Sequence, residues 1–255
     1  MCFDADARPP LPPIRGGAID ATDLTLSSRD GTAVAATAAR ASSPGGAGIV
    51  IIPDVRGLHP YYEELAHRFA EAGVHAIAFD LYSRSAGTAK RDASFEYEPH
   101  VTQLDPAALD ADVGAAAAYL RSTDGGGVER LFTIGFCIGG RISLLQAVSG
   151  VGAAGVIGCY PWPVGPHRSG LPAPADEAPR FACPVLTIYG GADAAIGPEV
   201  RDTFARTLAD AGIEHESVTY EDAPHSFFDR RAEQHADASA DAWRRILDFI
   251  GVRTS

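Results

Sequence analysis

The sequence predicts a doubly wound α/β domain on a mainly parallel sheet, with an antiparallel hairpin at its front. Continuous apolar, β-branched runs such as residues 48–52 are what strands covered on both faces look like. They alternate with amphipathic helical stretches over short links, the arrangement of a parallel sheet with helices on both sides. At 255 residues and 46% hydrophobic composition the chain can bury one large core.

Taken in order, residues 1–18 are rich in proline and glycine (Pro9, Pro10, Pro12, Pro13, Gly16, Gly17) and are expected to form an arm lying on the domain. Residues 19–255 form that single domain. Polar and apolar residues alternate over 22–26, a turn follows at Arg29-Asp30-Gly31-Thr32, and 33–40 is a second strand, so the pair reads as a hairpin. A strand at 48–52 precedes a helix over 61–72, where Leu65 and Phe69 share a face and Gly73 stops the turn. The next strand is 74–79. A helix capped by Asp105 or Asp110 runs to about 121, with Leu109, Val113, Ala117 and Leu120 as its stripe. A strand at 131–134 leads to a helix over 141–148, and another strand follows at 155–160. Residues 161–180 are proline-rich without periodicity and are expected to cross one end of the sheet as an irregular loop. The remaining elements are a strand at 184–190, a helix at 199–211 stopped by Gly212, a strand at 215–220 and a closing helix at 237–250.

The balance of charge narrows the partners. A net charge of −12 disfavours nucleic acid and anionic membrane surfaces, both of which need a positive footprint. Four scattered cysteines (Cys2, Cys137, Cys159, Cys183) form no CxxC pair, which suits a reducing compartment. The acidic start and the lack of an apolar run near membrane length point to a cytoplasmic protein. The eight histidines are dispersed without short ligand spacings, so no metal site is expected.

The chemistry concentrates at strand ends. Gly135-Phe136-Cys137-Ile138-Gly139-Gly140 lies between a predicted strand and a predicted helix, the setting of a nucleophile elbow in an α/β-hydrolase, with sulfur as the nucleophile. Glycines two residues either side leave room for the sharp turn. Asp193 follows the 184–190 strand and His225 follows the last strand, which gives the order nucleophile, acid, histidine. Cys137 would attack an acyl carbonyl, His225 would move the proton, and Asp193 would orient the imidazole. The amide of Ile138 and that of Val55, in the loop after the 48–52 strand, are the candidate oxyanion donors. His59 directly follows that loop and reads first as a loop residue ahead of the helix.

Together these residues resemble the dienelactone hydrolase family from about residue 20 to 250. The likeness rests on Pro53-Asp54-Val55-Arg56-Gly57-Leu58, Asp80-Leu81-Tyr82-Ser83-Arg84, the cysteine elbow, Gly190-Gly191-Ala192-Asp193 and His225-Ser226-Phe227. The resemblance implies cofactor-free hydrolysis of dienelactone, a cyclic enol ester from catechol breakdown. By position it makes Cys137, Asp193 and His225 the triad and Asp54 the counterpart of a glutamate that holds the resting thiol. Arg84 matches an arginine that binds a substrate carboxylate. The family's second such arginine falls on Asp229 here, with Arg230 and Arg231 next to it as substitutes. Tyr82, Tyr160 and Trp162 are candidates for an apolar wall.

The expected function is therefore cleavage of small esters or lactones, by a monomer or small homo-oligomer. One rival is a generalist esterase or thioesterase on neutral substrates, favoured by Asp229. Another is a non-catalytic binding protein of the same fold.

Overall fold

In the computed structural model, residues 3–13, 19–42 and 46–251 are described. Eight strands form one sheet: β1 (Ile19–Ser27), β2 (Ala33–Ala41), β3 (Ala47–Ile52), β4 (His75–Phe79), β5 (Arg130–Phe136), β6 (Gly155–Cys159), β7 (Val185–Gly190) and β8 (His215–Tyr220). The helices are α1 (Pro60–Glu71), α2 (Ser83–Ala86), α3 (Glu98–Val101), α4 (Pro106–Arg121), α5 (Ile138–Leu145), α6 (Pro174–Glu177), α7 (Pro198–Asp210) and α8 (Ala236–Ile250). The strand order is β1-β2-β4-β3-β5-β6-β7-β8. β1 and β2 form the antiparallel hairpin, β2 joins β4 antiparallel, and every later pairing is parallel.

The period of two in the central strands divides their side chains between two cores. Ile49, Ile51, Phe132 and Ile134 pack under Leu65 and Phe69 of α1 and Trp243, Ile246 and Leu247 of α8. Val50, Ile52, Ile77 and Leu131 pack under Leu109, Val113 and Leu120 of α4 and Ile142 of α5. Each such side chain contributes about 1.5–3 kcal/mol when taken fully from water. Apolar runs without alternation are thus explained: both faces are covered.

Two elements differ from expectation and one choice between candidates is settled. The helix after Cys137 starts at Ile138, because the elbow feeds directly into its first turn. Of the two cap candidates for α4, Asp105 is the one used; its carboxylate accepts the Ala108 N–H at 2.8 Å. The proline-rich segment holds the short helix α6, which Pro174 opens at a position where a missing N–H costs nothing. The arm lies on the domain over residues 3–13, with Phe3 and Ala7 buried; residues 14–18 and Cys2 fall outside the described residues. No described helix is long and apolar enough to cross a membrane.

Candidate active site

Cys137 stands alone between β5 and α5 with φ 96° and ψ −102°, a conformation that β-carbon-bearing residues rarely adopt. The turn is pinned from both sides. The Cys137 N–H donates to the Cys159 carbonyl at 3.0 Å, and its own carbonyl accepts the Arg141 N–H at 3.2 Å. A β-carbon on Gly135 would meet the Gly139 carbonyl oxygen at 1.9 Å, and one on Gly139 would meet the Pro53 carbonyl oxygen at 2.2 Å. Both contacts are to backbone, so neither can yield cheaply. Gly139→Ala is expected to cost at least about 4 kcal/mol, a fall in Tm of roughly 10 °C by calorimetry.

Asp193 and His225 arrive on the loops after β7 and β8, at the same carboxyl end of the sheet as Cys137. His225 Nδ1 lies 2.6 Å from Asp193 Oδ2. The other carboxylate oxygen accepts the N–H groups of Ala195 at 2.9 Å and Ile196 at 3.3 Å. Burial alone would raise the Asp193 carboxyl; the hydrogen bond from His225 and the two backbone donors outweigh it and hold the group below the usual carboxylate range. Ser226, next to the histidine, is left-handed at φ 59°. Tyr160 links the two halves of the site: its ring is 5.1 Å from that of His225, and its hydroxyl accepts the Phe228 N–H at 3.1 Å. The Tyr160 phenol is pushed well up, first by burial and then by neighbours that include Cys159, Tyr61 and Cys137.

The other candidates are placed as follows. Ile138 is the first residue of α5, where backbone N–H groups have no intrahelical acceptor. Val55 is buried on the loop after β3, and its carbonyl accepts the Tyr82 hydroxyl at 2.8 Å. Tyr82 is wholly buried and braces that loop from behind. Asp54 is also wholly buried, accepting from Arg56 N at 2.9 Å and Nη2 at 3.1 Å. Burial works to raise its carboxyl, but His59 and Arg56 prevail and hold it low. His59 Nε2 is 3.7 Å from the carboxylate, too long for a hydrogen bond, so the Arg56 pair is the firmer contact.

Two arginines expected at a substrate carboxylate are engaged elsewhere. Arg84 holds Asp112 in a fork (2.9 and 2.7 Å) and also pairs with Asp30 at 2.6 Å, in the hairpin turn. Arg230 Nη1 donates to the Leu11 carbonyl at 2.6 Å and lies 3.3 Å from Glu64. Long side chains surrounded by acids and carbonyls find partners that position in sequence does not reveal. Trp162 packs half-buried against the α1–α8 core.

Sequence reasoning missed two buried cations that shape the site. Arg91 grips Asp80 at 2.7 Å, and Asp80 in turn accepts the Leu58 and Tyr82 N–H groups, fixing the loops after β3 and β4. Arg141 is fully buried in α5 and donates to the carbonyls of Trp162, Gly165, Leu171 and Pro172. Burial lowers its guanidinium to about 10. The signal was one arginine within the otherwise apolar start of α5. Arg141→Met would strip four carbonyls of their donor and is expected to cost at least about 3 kcal/mol in denaturant unfolding. Among the described residues no three His, Cys, Asp or Glu side chains group as metal ligands.

A model of the dienelactone hydrolase family matches residues 33–253. A Yersinia pestis protein provisionally named carboxymethylenebutenolidase is 31% identical over 207 residues, 79% of this chain and 76% of its own. A carboxymethylenebutenolidase of Rhodococcus opacus is 29% identical over 219 residues, 82% of this chain and 83% of its own. A Klebsiella pneumoniae crystal structure, provisionally named a dienelactone hydrolase, superimposes with a TM-score of 0.81 at 30% identity, over 92% of this chain and 100% of that one. A cysteine at the strained bend of an α/β sheet, an Asp–His pair on later loops of that sheet and a match across nearly the whole domain agree: this chain belongs to the dienelactone hydrolase family and is a hydrolase acting on esters or lactones.

Proposed function

We propose that Cys137 is the nucleophile, His225 the acid–base and Asp193 the orienting carboxylate of this hydrolase. The observation that carries the reading is the 2.6 Å Asp193–His225 contact on loops at the same end of the parallel sheet as the elbow. The Cys137 thiolate adds to the carbonyl carbon of a small ester or lactone. The oxyanion is received by the Ile138 N–H and by the amide of Val55, each worth about 10²–10³ in rate for such donors. The tetrahedral adduct collapses, and His225 protonates the departing alkoxide, leaving a thioester on Cys137. His225 then takes a proton from water, which attacks the thioester and frees the acid. Asp54, buried on the loop after β3 and paired with Arg56, is assigned by the family resemblance to setting the state of the thiol.

The charges favour a neutral substrate over a carboxylated one. Arg84 and Arg230 are already neutralised by acids and carbonyls, and Asp229 stands where the family would place a cation. A substrate carboxylate would have to break one of those pairings to gain either guanidinium. A neutral aryl ester is expected to exceed its carboxylated analogue in kcat/KM by at least about tenfold. Equal values, or preference for the acid, would return the reading to dienelactone-like substrates.

Labelling separates this from a binding protein without catalysis. Burial raises the Cys159 thiol far above its ordinary range and brings Cys183 to about 11, so both should resist iodoacetamide near neutral pH. Rapid modification mapped by peptide mass to Cys137 supports an activated thiol; an inert Cys137 opposes it.

A further inference from the structure

A cleft of about 210 Å³ lies between α4, α5 and the proline-rich segment, and none of Cys137, Asp193 and His225 lines it. Its walls are apolar, with Leu109 from α4, Ile142 and Leu145 from α5, and Leu171 from the proline-rich segment. Two polar side chains line the same cleft, Asp110 and Gln146. Gln146 Nε2 donates to Asp110 Oδ1 and to the Ile142 carbonyl, each at 3.2 Å. Both neighbours are acceptors, which fixes which end of the amide carries the N–H groups. Gln146 is 2% exposed, and its Oε1 has no hydrogen-bond partner among the described residues. Asp110 is half-buried and forms no ion pair with a described residue. Burial pushes its carboxyl up, and the Gln146 bond and the more distant Arg29 do not offset that. Arg180, at the rim, is held by Glu177. The cleft thus joins apolar walls to a carboxylate without a cation and an amide oxygen without a donor.

We propose that this cleft is a second binding site, for a small primary ammonium compound with an apolar body, of the arylalkylamine class. The ammonium supplies the positive charge that Asp110 lacks and N–H donors for the Asp110–Gln146 end of the cleft. The apolar body covers Leu109, Ile142 and Leu145 and is taken from water there. Other ligand classes lack one of these parts. An alcohol brings a donor without a charge, a quaternary ammonium brings a charge without a donor, and a carboxylate meets Asp110 with like charge. The net charge of −12 favours the approach of a cation. The site is independent of the Cys137–His225 reading, since none of its residues belongs to that machinery.

The test is a titration of the full chain with phenethylammonium chloride at physiological ionic strength, followed by methyl NMR. Saturable shifts are expected at the methyl groups of Leu109, Ile142 and Leu145, with a Kd of about 1 mM or tighter. Phenethyl alcohol and the N,N,N-trimethyl analogue of the probe should each bind at least about tenfold more weakly. The second of these separates a built site from general attraction to an acidic protein. Asp110→Asn should weaken the probe by at least about tenfold. Leu145→Lys, which brings a cation of the chain itself into the cleft, should do the same and serves if the asparagine variant does not fold. No saturation up to about 10 mM, or shifts confined to residues outside the cleft, would overturn the site. So would a folded Asp110→Asn or Leu145→Lys protein that binds like the wild type, or equal binding of the ammonium, the alcohol and the quaternary analogue.

Discussion

Cys137→Ala is expected to lower kcat/KM for an activated neutral ester by at least about 10⁴-fold, with an unchanged Tm. The size follows from the role. Without the sulfur there is no thioester, and what remains is water attacking a carbonyl held by backbone amides. Stability should be spared because Cys137 is partly exposed at the tip of the elbow, with the strain carried by the backbone and by Gly135 and Gly139. Alanine keeps a β-carbon and therefore does not relieve the positive φ. Retained turnover would move the nucleophile elsewhere. A collapse in stability would make the assay uninformative about chemistry, so far-UV dichroism accompanies it.

Asp193→Asn should reduce kcat by about 10²–10⁴-fold with little effect on KM. The amide is nearly isosteric, so Ala195 and Ile196 keep an acceptor, yet its side chain no longer offers a charge to the His225 imidazolium. The same replacement has a signature in pH. The Asp193 carboxyl is held below its unfolded value of about 4, so its contribution to stability is complete above that value and is lost as pH falls through the depressed one. The wild type should therefore lose stability more steeply than Asp193→Asn through that acid window in urea titrations. Parallel profiles would mean that the Asp193–His225 contact adds little.

The alternation of strands and helices and the two glycines flanking Cys137 were legible because each follows from local chemistry. Burial on both faces forces uninterrupted apolar strands, and the sharp turn excludes side chains at Gly135 and Gly139. Asp193 and His225 could be chosen because loops after parallel strands converge at one end of the sheet. The fate of Arg84, Arg230 and Tyr82 was not legible. Arg84 is turned by Asp30 and Asp112, which are distant in sequence, and Tyr82 is drawn beneath Val55 by one carbonyl. Arg141 was hidden for the opposite reason: its partners are backbone carbonyls, which have no residue type to recognise. Phe3 was concealed in an arm whose prolines announce a lack of regular structure and say nothing about where it docks.

Rapid acid quench during turnover of an aryl ester, followed by peptide mapping, tests the central claim most directly. The acyl group is expected as a thioester on the peptide containing Cys137, building up ahead of steady-state release of the acid. An acyl group recovered on another side chain, with Cys137 unmodified, would contradict it.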